Sequence, residues 1–356
     1  MNLDTLLPNL GEWLRGTGPE SDVVVSTRIR LARNLADYPF TNRASNPQKA
    51  EIVGRAKDAV AKADLPYKLD YHDVPGMPAL DRQFLVERQL ISRELAAVLD
   101  GPRGVAFDDK ESVSVMVNEE DHLRLQVLRS GFALDEAWQD IDRLDDALES
   151  RLTYAFHPQF GYLTACPTNV GTGMRASVML HLPALGLTKQ IDKVFRALQK
   201  INLAVRGLHG EGSRAFGDLY QISNQVTLGK SEQKVLNEIR EVIQTILQYE
   251  RQARQALVRE RKQAEQDRVA RAIGTLGSAT MITSEETMEL LSAVRLGIHL
   301  RLLDDVPATT VNQLFIHTQA AHLQKLMGQP LDGEERNAAR AKYLRSKLRE
   351  LGSQPR

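Results

Sequence analysis

The chain has one cysteine, Cys166, in 356 residues. A lone thiol excludes an intramolecular disulfide and any cysteine-rich zinc site. The 8 histidines show no H-x-x-x-H spacing and no cysteine partner, so no structural zinc is expected. Net charge is missing as well: 46 Lys+Arg balance 46 Asp+Glu. That balance argues against a globally basic nucleic-acid binder and against an acidic solvating tail. No targeting or membrane segment is evident. The N-terminal residues lack a basic n-region, and Asp4, Pro8 and Glu12 interrupt their apolar positions. The uncharged stretch 152–174 is broken by Pro158, Pro167 and glycines, unlike a spanning helix. A soluble cytoplasmic protein is the expectation. Internal repeats and low-complexity tracts are also absent.

What the chain does have is arginine, 32 against 14 lysines. A surface that needs only solubility can use lysine. An arginine excess points to fixed-fork contacts with phosphate or carboxylate, or to a GC-rich genome.

At about 150 residues per domain, the length predicts two domains. Up to about residue 230, short β-branched runs mix with helical stretches. Strands are expected at 23–30, at 112–117 and around Val226 and Thr227. Helices are expected over 46–63, 81–99, 133–151 and 189–205. Strands and helices without a regular βαβ beat predict an α+β domain, an antiparallel sheet flanked by helices. From about 231 the pattern turns helical. Val235, Ile239, Val242, Ile246 and Tyr249 draw one apolar stripe. The charged stretch 250–271 reads as a solvated helix face or as the connection to a second domain. Thr283 to Glu286 form a capping box, and 334–351 read as a charged amphipathic helix. The division expected is 1–255 for an α+β domain and 256–356 for an all-α domain serving docking, regulation or dimerisation.

Two nucleotide motifs are only partly present. Gly171, Gly173 and Ala176 match G-x-G-x-x-A, but Cys166 to Asn169 stand where a hydrophobic strand is required. Leu228 to Ser231 end like a P-loop, but Asn224 replaces its first glycine. A turn leading into a helix is the expectation there.

Other segments carry costlier residues. Arg28 and Arg30, at i and i+2 on a strand, project from one sheet face. Glu119, Glu120 and Asp121 crowd a strand end, where like charges cost stability unless a cation binds. Cys166 precedes a glycine-rich turn that ends in Arg175, and Arg206 and Glu211 occupy a glycine-rich loop. Arg28, Arg30, Arg124, Arg175 and Arg206 could grip a polyphosphate through bidentate forks. Glutamates and a thiolate could hold a planar cation. Phosphoryl transfer to a guanidinium needs such parts: in-line positioning, charge stabilisation, and a carboxylate to orient the nucleophile and take its proton. Backbone amides and arginines near Cys166 are expected to lower its pKa.

At these residues the chain resembles the phosphagen (guanidino) kinase family. The matches are S-x-R-x-R at 26–30, NEEDHLR at 118–124, CPTNVGTGMRASV at 166–178 and VRG at 205–207, spanning about 20–255. The resemblance implies an antiparallel sheet flanked by helices and an ATP-dependent phosphotransferase using Mg2+. It implies that the five arginines clamp ATP phosphates, that Glu120 is the catalytic carboxylate, and that Glu119 lies near the magnesium shell. It also implies that Glu211 orients the guanidinium and that the Cys166 thiolate packs against it. The small-molecule kinases carry a helical domain before the S-x-R-x-R strand. Here that strand starts near residue 20, and about one hundred helical residues follow instead. This architecture resembles the bacterial protein-arginine kinases (McsB). That resemblance implies phosphorylation of protein arginines that marks proteins for proteolysis in a stress response. The partners it implies are an activator (McsA), the ClpC protease complex and the repressor CtsR, with a homodimer expected. In that family an R-D-x-x-R-A motif docks phosphoarginine. Its counterpart here is Arg336, Asn337 and Arg340, with Asn337 replacing the aspartate. The same arginines also fit an exposed i,i+4 pair on a helix. Two other readings remain open: a kinase of free arginine or another small guanidino compound, and a non-catalytic protease adaptor.

Overall fold

The computed structural model describes residues 3–97, 100–207, 216–303 and 306–352. Strand β1 (Val24–Arg33) leads to α1 (Asn46–Lys62), β2 (Asp70–Asp73), and the short helices α2 (Ala79–Glu87) and α3 (Arg93–Ala97). Next come β3 (Gly104–Phe107), β4 (Val113–Val117), β5 (Leu123–Ser130) and α4 (Leu134–Glu149). A small hairpin, β6 (Phe156–His157) and β7 (Gly161–Tyr162), precedes β8 (Met174–His181). Then follow α5 (Pro183–Leu187), α6 (Ile191–Lys200), β9 (Leu203–Gly207) and β10 (Leu219–Asn224). The rest is helical: α7 (Glu232–Ser278), α8 (Ser284–His299), α9 (Ala308–His317), α10 (Ala320–Met327) and α11 (Gly333–Gly352).

The main sheet has eight strands in the order β2-β3-β4-β5-β1-β8-β10-β9. All of its pairings are antiparallel, as the α+β reading expected. Side chains alternate between its faces. Ile29 and Leu31 of β1, Leu125 and Val127 of β5, and Ala176 and Val178 of β8 face a core closed by Ile141 and Leu144 of α4 and Ile239 and Ile243 of α7. Arg28 and Arg30 therefore face the other way. One end of that second face is covered by C-terminal helices. Val25, Leu128, Met179 and Leu219 pack there with Leu291 and Val294 of α8 and Leu314 and Phe315 of α9.

Four expectations are corrected. The strand near Val226 lies earlier, at Leu219–Asn224. Thr227 instead ties down a loop, its Oγ1 donating to Thr168 O at 2.9 Å and Val170 O at 2.7 Å. The helix over 81–99 breaks after Glu87, because Gln89 takes φ 63° and Ser92 Oγ accepts the Leu95 N–H at 3.0 Å to start a new turn. The helix over 189–205 stops at Lys200. Asn202 adopts φ 58°, a conformation asparagine tolerates, and the chain turns into β9. The stretch 250–271 is not merely a solvated face. Glu250 and Arg254 are buried, with Arg254 Nε donating to Glu250 Oε1 at 2.8 Å. Glu250 also accepts the Ala184 and Leu185 amides at the start of α5. The 47-residue span of α7 is two helical segments that meet at a kink at Arg261, where φ is −138°. Gly297 lets α8 approach it closely: a Cβ there would lie 2.7 Å from Val269 Cγ2. Among the described residues no helix is long and apolar enough to cross a membrane.

Candidate active site

Strand register gathers the arginines. Arg30 stands opposite Arg175 on one side and Gln126 on the other, and Ala32 stands opposite Arg124. Arg206 on β9 stands opposite Gln221 on β10. All five arginines, with Glu119 and Glu120, line one cavity of 690 Å³ between the polar sheet face and the C-terminal helices. Asn312, Phe315 and Gln319 of α9 and the turn after it form part of its wall.

Arg28 and Arg30 lie deep in this cavity. Loss of hydration and repulsion by Arg124, Arg175 and Arg206 push the Arg28 pKa down to about 10. Burial, with Arg28, Arg124 and Arg175 nearby, pushes Arg30 well below its ordinary range. Arg28 is held by uncharged groups: Nη1 donates to Gln89 Oε1 at 3.1 Å and Nη2 to Gln221 Oε1 at 2.7 Å. Arg175 Nη2 donates to Ser223 Oγ at 3.1 Å. Arg30 Nε has no hydrogen-bond partner among the described residues. Two amides orient the Arg28 guanidinium without cancelling its charge, which suits a polyanion.

The three carboxylates at 119–121 share a tight turn between β4 and β5. Asn118, at φ 56°, fixes it through Nδ2 bonds to Lys49 O (2.9 Å) and Pro102 O (2.8 Å). Each of the three has its own environment. Glu119 is buried and takes Arg124 Nη1 on both oxygens at 2.6 Å, with Ser92 Oγ at 2.7 Å. Burial pushes Glu119 up, but Arg124, Ser92, the Glu120 amide and Arg30 together hold it below the ordinary carboxylate range. Asp121 Oδ1 accepts Asn34 Nδ2 at 2.6 Å and the Ala165 N–H at 2.7 Å. Glu120 alone projects to the rim. Partial desolvation, reinforced by Asp121, Glu119 and Glu94 against the pull of Arg124, raises its pKa.

No cluster of three metal-ligating side chains occurs among the described residues. The carboxylates present suit a magnesium ion held chiefly by phosphate and water, because both Glu119 oxygens already serve Arg124. Cys166 is half-buried on the loop that Asp121 ties down, its Sγ 3.0 Å from Thr168 Oγ1. It does not line the cavity. Glu211 lies outside the described residues. Sequence reasoning missed Gln89, Gln221 and Ser92. Gln221 is flagged only by being polar on a strand face between Leu219 and Ser223; Gln89 and Ser92 carry no local signal.

The C-terminal motif sits elsewhere, on α11. Arg340 is buried rather than on an exposed face. It donates to Thr318 O (2.8 Å), Ile282 O (2.9 Å) and Asn337 Oδ1 (2.8 Å). Half-buried Arg336 donates to Leu331 O at 2.8 Å. Asn337 thus does hydrogen-bond a guanidinium, that of its own helix.

Residues 51–253 match the family described as ATP:guanido phosphotransferase, C-terminal catalytic domain. Residues 262–356 match the protein-arginine kinase McsB C-terminal domain. The protein-arginine kinase of Halothermothrix orenii is 47% identical over 345 residues, 97% of this chain and 98% of that protein. That of Bacillus subtilis is 44% identical, covering 95% of this chain and 93% of that one. Among solved structures, lombricine kinase aligns with a TM-score of 0.59 at 25% identity, over 67% of this chain and 69% of that chain. The duplicated taurocyamine kinase of Schistosoma mansoni, with transition-state analogue components bound, aligns with a TM-score of 0.60 at 26% identity. That match covers 69% of this chain and 35% of the duplicated one.

Proposed function

Because the chain belongs to the ATP:guanido phosphotransferase family, and within it to the protein-arginine kinases, we propose that its arginine face binds Mg2+-ATP while a protein arginine enters at Glu120. ATP-dependent phosphorylation of arginine is the activity its relatives support. One observation carries the assignment of the site: five arginines and two glutamates from separate segments border one cavity.

The chemistry follows from that geometry. Arg28, Arg30, Arg124, Arg175 and Arg206 offset the negative charge that spreads over the transferring group. The mutual repulsion that depresses the Arg28 and Arg30 pKa values is relieved when a polyphosphate arrives, which favours its binding. Glu119 keeps Arg124 aimed. A guanidinium is a poor nucleophile while protonated. Glu120 orients it and accepts its proton as the N–P bond forms, the bond from the γ-phosphorus to the β-γ bridging oxygen breaks, and ADP leaves. A carboxyl raised above its ordinary value is the better base. Magnesium, when bound, would neutralise phosphate charge, with Glu119 and Glu120 the carboxylates nearest to serve it.

The proposal extends to biology by resemblance of the sequence motifs. Phosphoarginine would mark proteins for a ClpC-type protease in a cytoplasmic stress response. An McsA-like activator, a CtsR-like repressor as substrate and a homodimeric enzyme belong to the same reading, as does docking of phosphoarginine at Arg336, Asn337 and Arg340.

The test is transfer of γ-labelled phosphate to an unfolded protein, read as acid-labile phosphoarginine by mass spectrometry. Glu120→Gln should abolish the product and leave ATP binding intact; a fully active variant would remove Glu120 from its role. Free arginine offered in place of protein separates a protein kinase from a small-molecule kinase.

A further inference from the structure

Eight large apolar side chains stand exposed among the described residues. Four of them flank one loop: Phe156 (57%), Phe160 (45%), Val226 (37%) and Leu228 (50%). The loop is 166–171, which carries Cys166. On one side the β6–β7 hairpin lies against it: Tyr162 bridges Gly171, and a Cβ on Gly161 would sit 2.5 Å from Gly171 O. On the other side Thr227, between Val226 and Leu228, is bonded to Thr168 and Val170.

The loop between them is tied to the turn that carries the acceptor carboxylate. Asp121, next to Glu120 in the chain, holds the Ala165 amide, and Asn34 Nδ2 bridges Asp121 to Leu163 O at 3.0 Å. The hairpin is also held firmly. The Arg33 guanidinium lies 3.5 Å from the Tyr162 ring centre while it is bidentate to Asp145. Phe156 packs edge-on against Tyr162 at 5.3 Å, and His157 stacks on Phe160 at 4.8 Å. Apolar side chains gathered on a surface and held in place mark a contact site. Rigid aromatics lose little entropy on binding, so they make good anchors.

We propose that the β6–β7 hairpin and the 226–228 segment form a docking rim for the polypeptide that carries the acceptor arginine. The rim takes apolar side chains a few residues from that arginine, in an extended, unfolded segment. Folded proteins bury such apolar residues and leave arginine outside. Only an unfolded segment offers both at once to an acceptor carboxylate, Glu120, and an apolar rim tied to its turn. The inference rests on the reading of the chain as a kinase of protein arginines.

The experiment uses the full chain, the double variant Phe156→Ser/Phe160→Ser and the separate variant Leu228→Ser. All three side chains are exposed, so the fold should tolerate them. The acceptors are two peptides with one arginine each, flanked by Leu and Phe in one and by Ser in the other, plus N-acetylarginine amide. Each variant should raise KM for the apolar-flanked peptide about ten-fold, the loss typical of a truncated aromatic anchor. Its kcat, its KM for ATP and its rates on the other two acceptors should hold. Three outcomes overturn the rim: an unchanged KM for the apolar-flanked peptide, equal losses on all acceptors, or a changed sedimentation coefficient, which would make it a self-association surface. A wild-type enzyme that phosphorylates N-acetylarginine amide but neither peptide would refute the underlying kinase reading itself, and the rim with it.

Discussion

Arg33, Arg88 and Arg254 are buried against the carboxylates of Asp145, Glu111 and Glu250, whereas half-buried Arg28 and Arg30, facing the cavity, show no hydrogen bond to a carboxylate among the described residues. The first three hold the fold together: Arg33 links β1 to α4, Arg88 links the end of α2 to the turn before β4, and Arg254 anchors α7 near the start of β1. Their charge is matched within the protein, so nothing is left over for a ligand. Arg28 is braced by two glutamines, which fix its direction and leave its charge unmatched. Repulsion from the other clamp arginines adds to the cost, which shows as depressed pKa values. A desolvated guanidinium braced only by neutral groups is a candidate contact for an anionic ligand.

The comparison can be broken most directly at Arg30. Arg30→Ala should lower kcat/KM by about 10³ or more, the scale at which a transition-state arginine acts. The melting temperature should hold or rise, since an uncompensated charge is removed; a marked fall would class Arg30 with the structural set. Arg88→Ala should do the opposite. It strands Glu111 in the interior and should cost about 3–5 kcal/mol of stability in denaturant titration, with activity per folded molecule largely retained. Gln89→Glu tests the bracing directly. It supplies Arg28 with an internal partner, so the KM for ATP should rise about ten-fold, equivalent to about 1.4 kcal/mol, while thermal stability increases. An unchanged KM would mean that the neutrality of residue 89 has no role.

The remaining prediction concerns pH. Burial pushes His317 down to about 3, helped by His322, Arg88 and Lys347. Burial with Arg295 and Arg254 does the same to His299. Below about pH 6.5 the unfolded chain binds protons at these sites that the folded chain does not. Stability is therefore lost as pH falls from about 6.5 toward 3, by up to about 1.4 kcal/mol per pH unit for each histidine. Denaturant midpoints measured from pH 7 to 5 should fall, and His317→Phe should flatten the slope. An unchanged slope would show that His317 titrates alike in both states.

Much of the site was readable along the chain. Arg28 and Arg30 share a face because strand side chains alternate, and that needs no partner strand. The antiparallel sheet and the helices over 46–62 and 134–149 follow from local patterning. Local patterning failed where a contact elsewhere overrode it. The helix expected over 81–99 breaks at Gln89, whose carbonyl accepts Gln126 Nε2 from a distant strand at 2.6 Å. The segment 203–207 becomes a strand because β10 offers an open edge. The charged run 250–271 looked solvated because Glu250 and Arg254 neutralise each other only when packed against α5 and β1.

The sequence by itself determined the chemistry available: which side chains exist, which lie on one face of one strand, and which motifs mark a guanidino kinase. Tertiary structure decided what each group is for. Of three adjacent carboxylates, one pins Arg124, one pins the Cys166 loop and one projects to the rim. Of the deep arginines, some are neutralised and others are left to a ligand. Charge and direction depend on neighbours within a few ångströms, and folding supplies those neighbours from residues far apart in the chain.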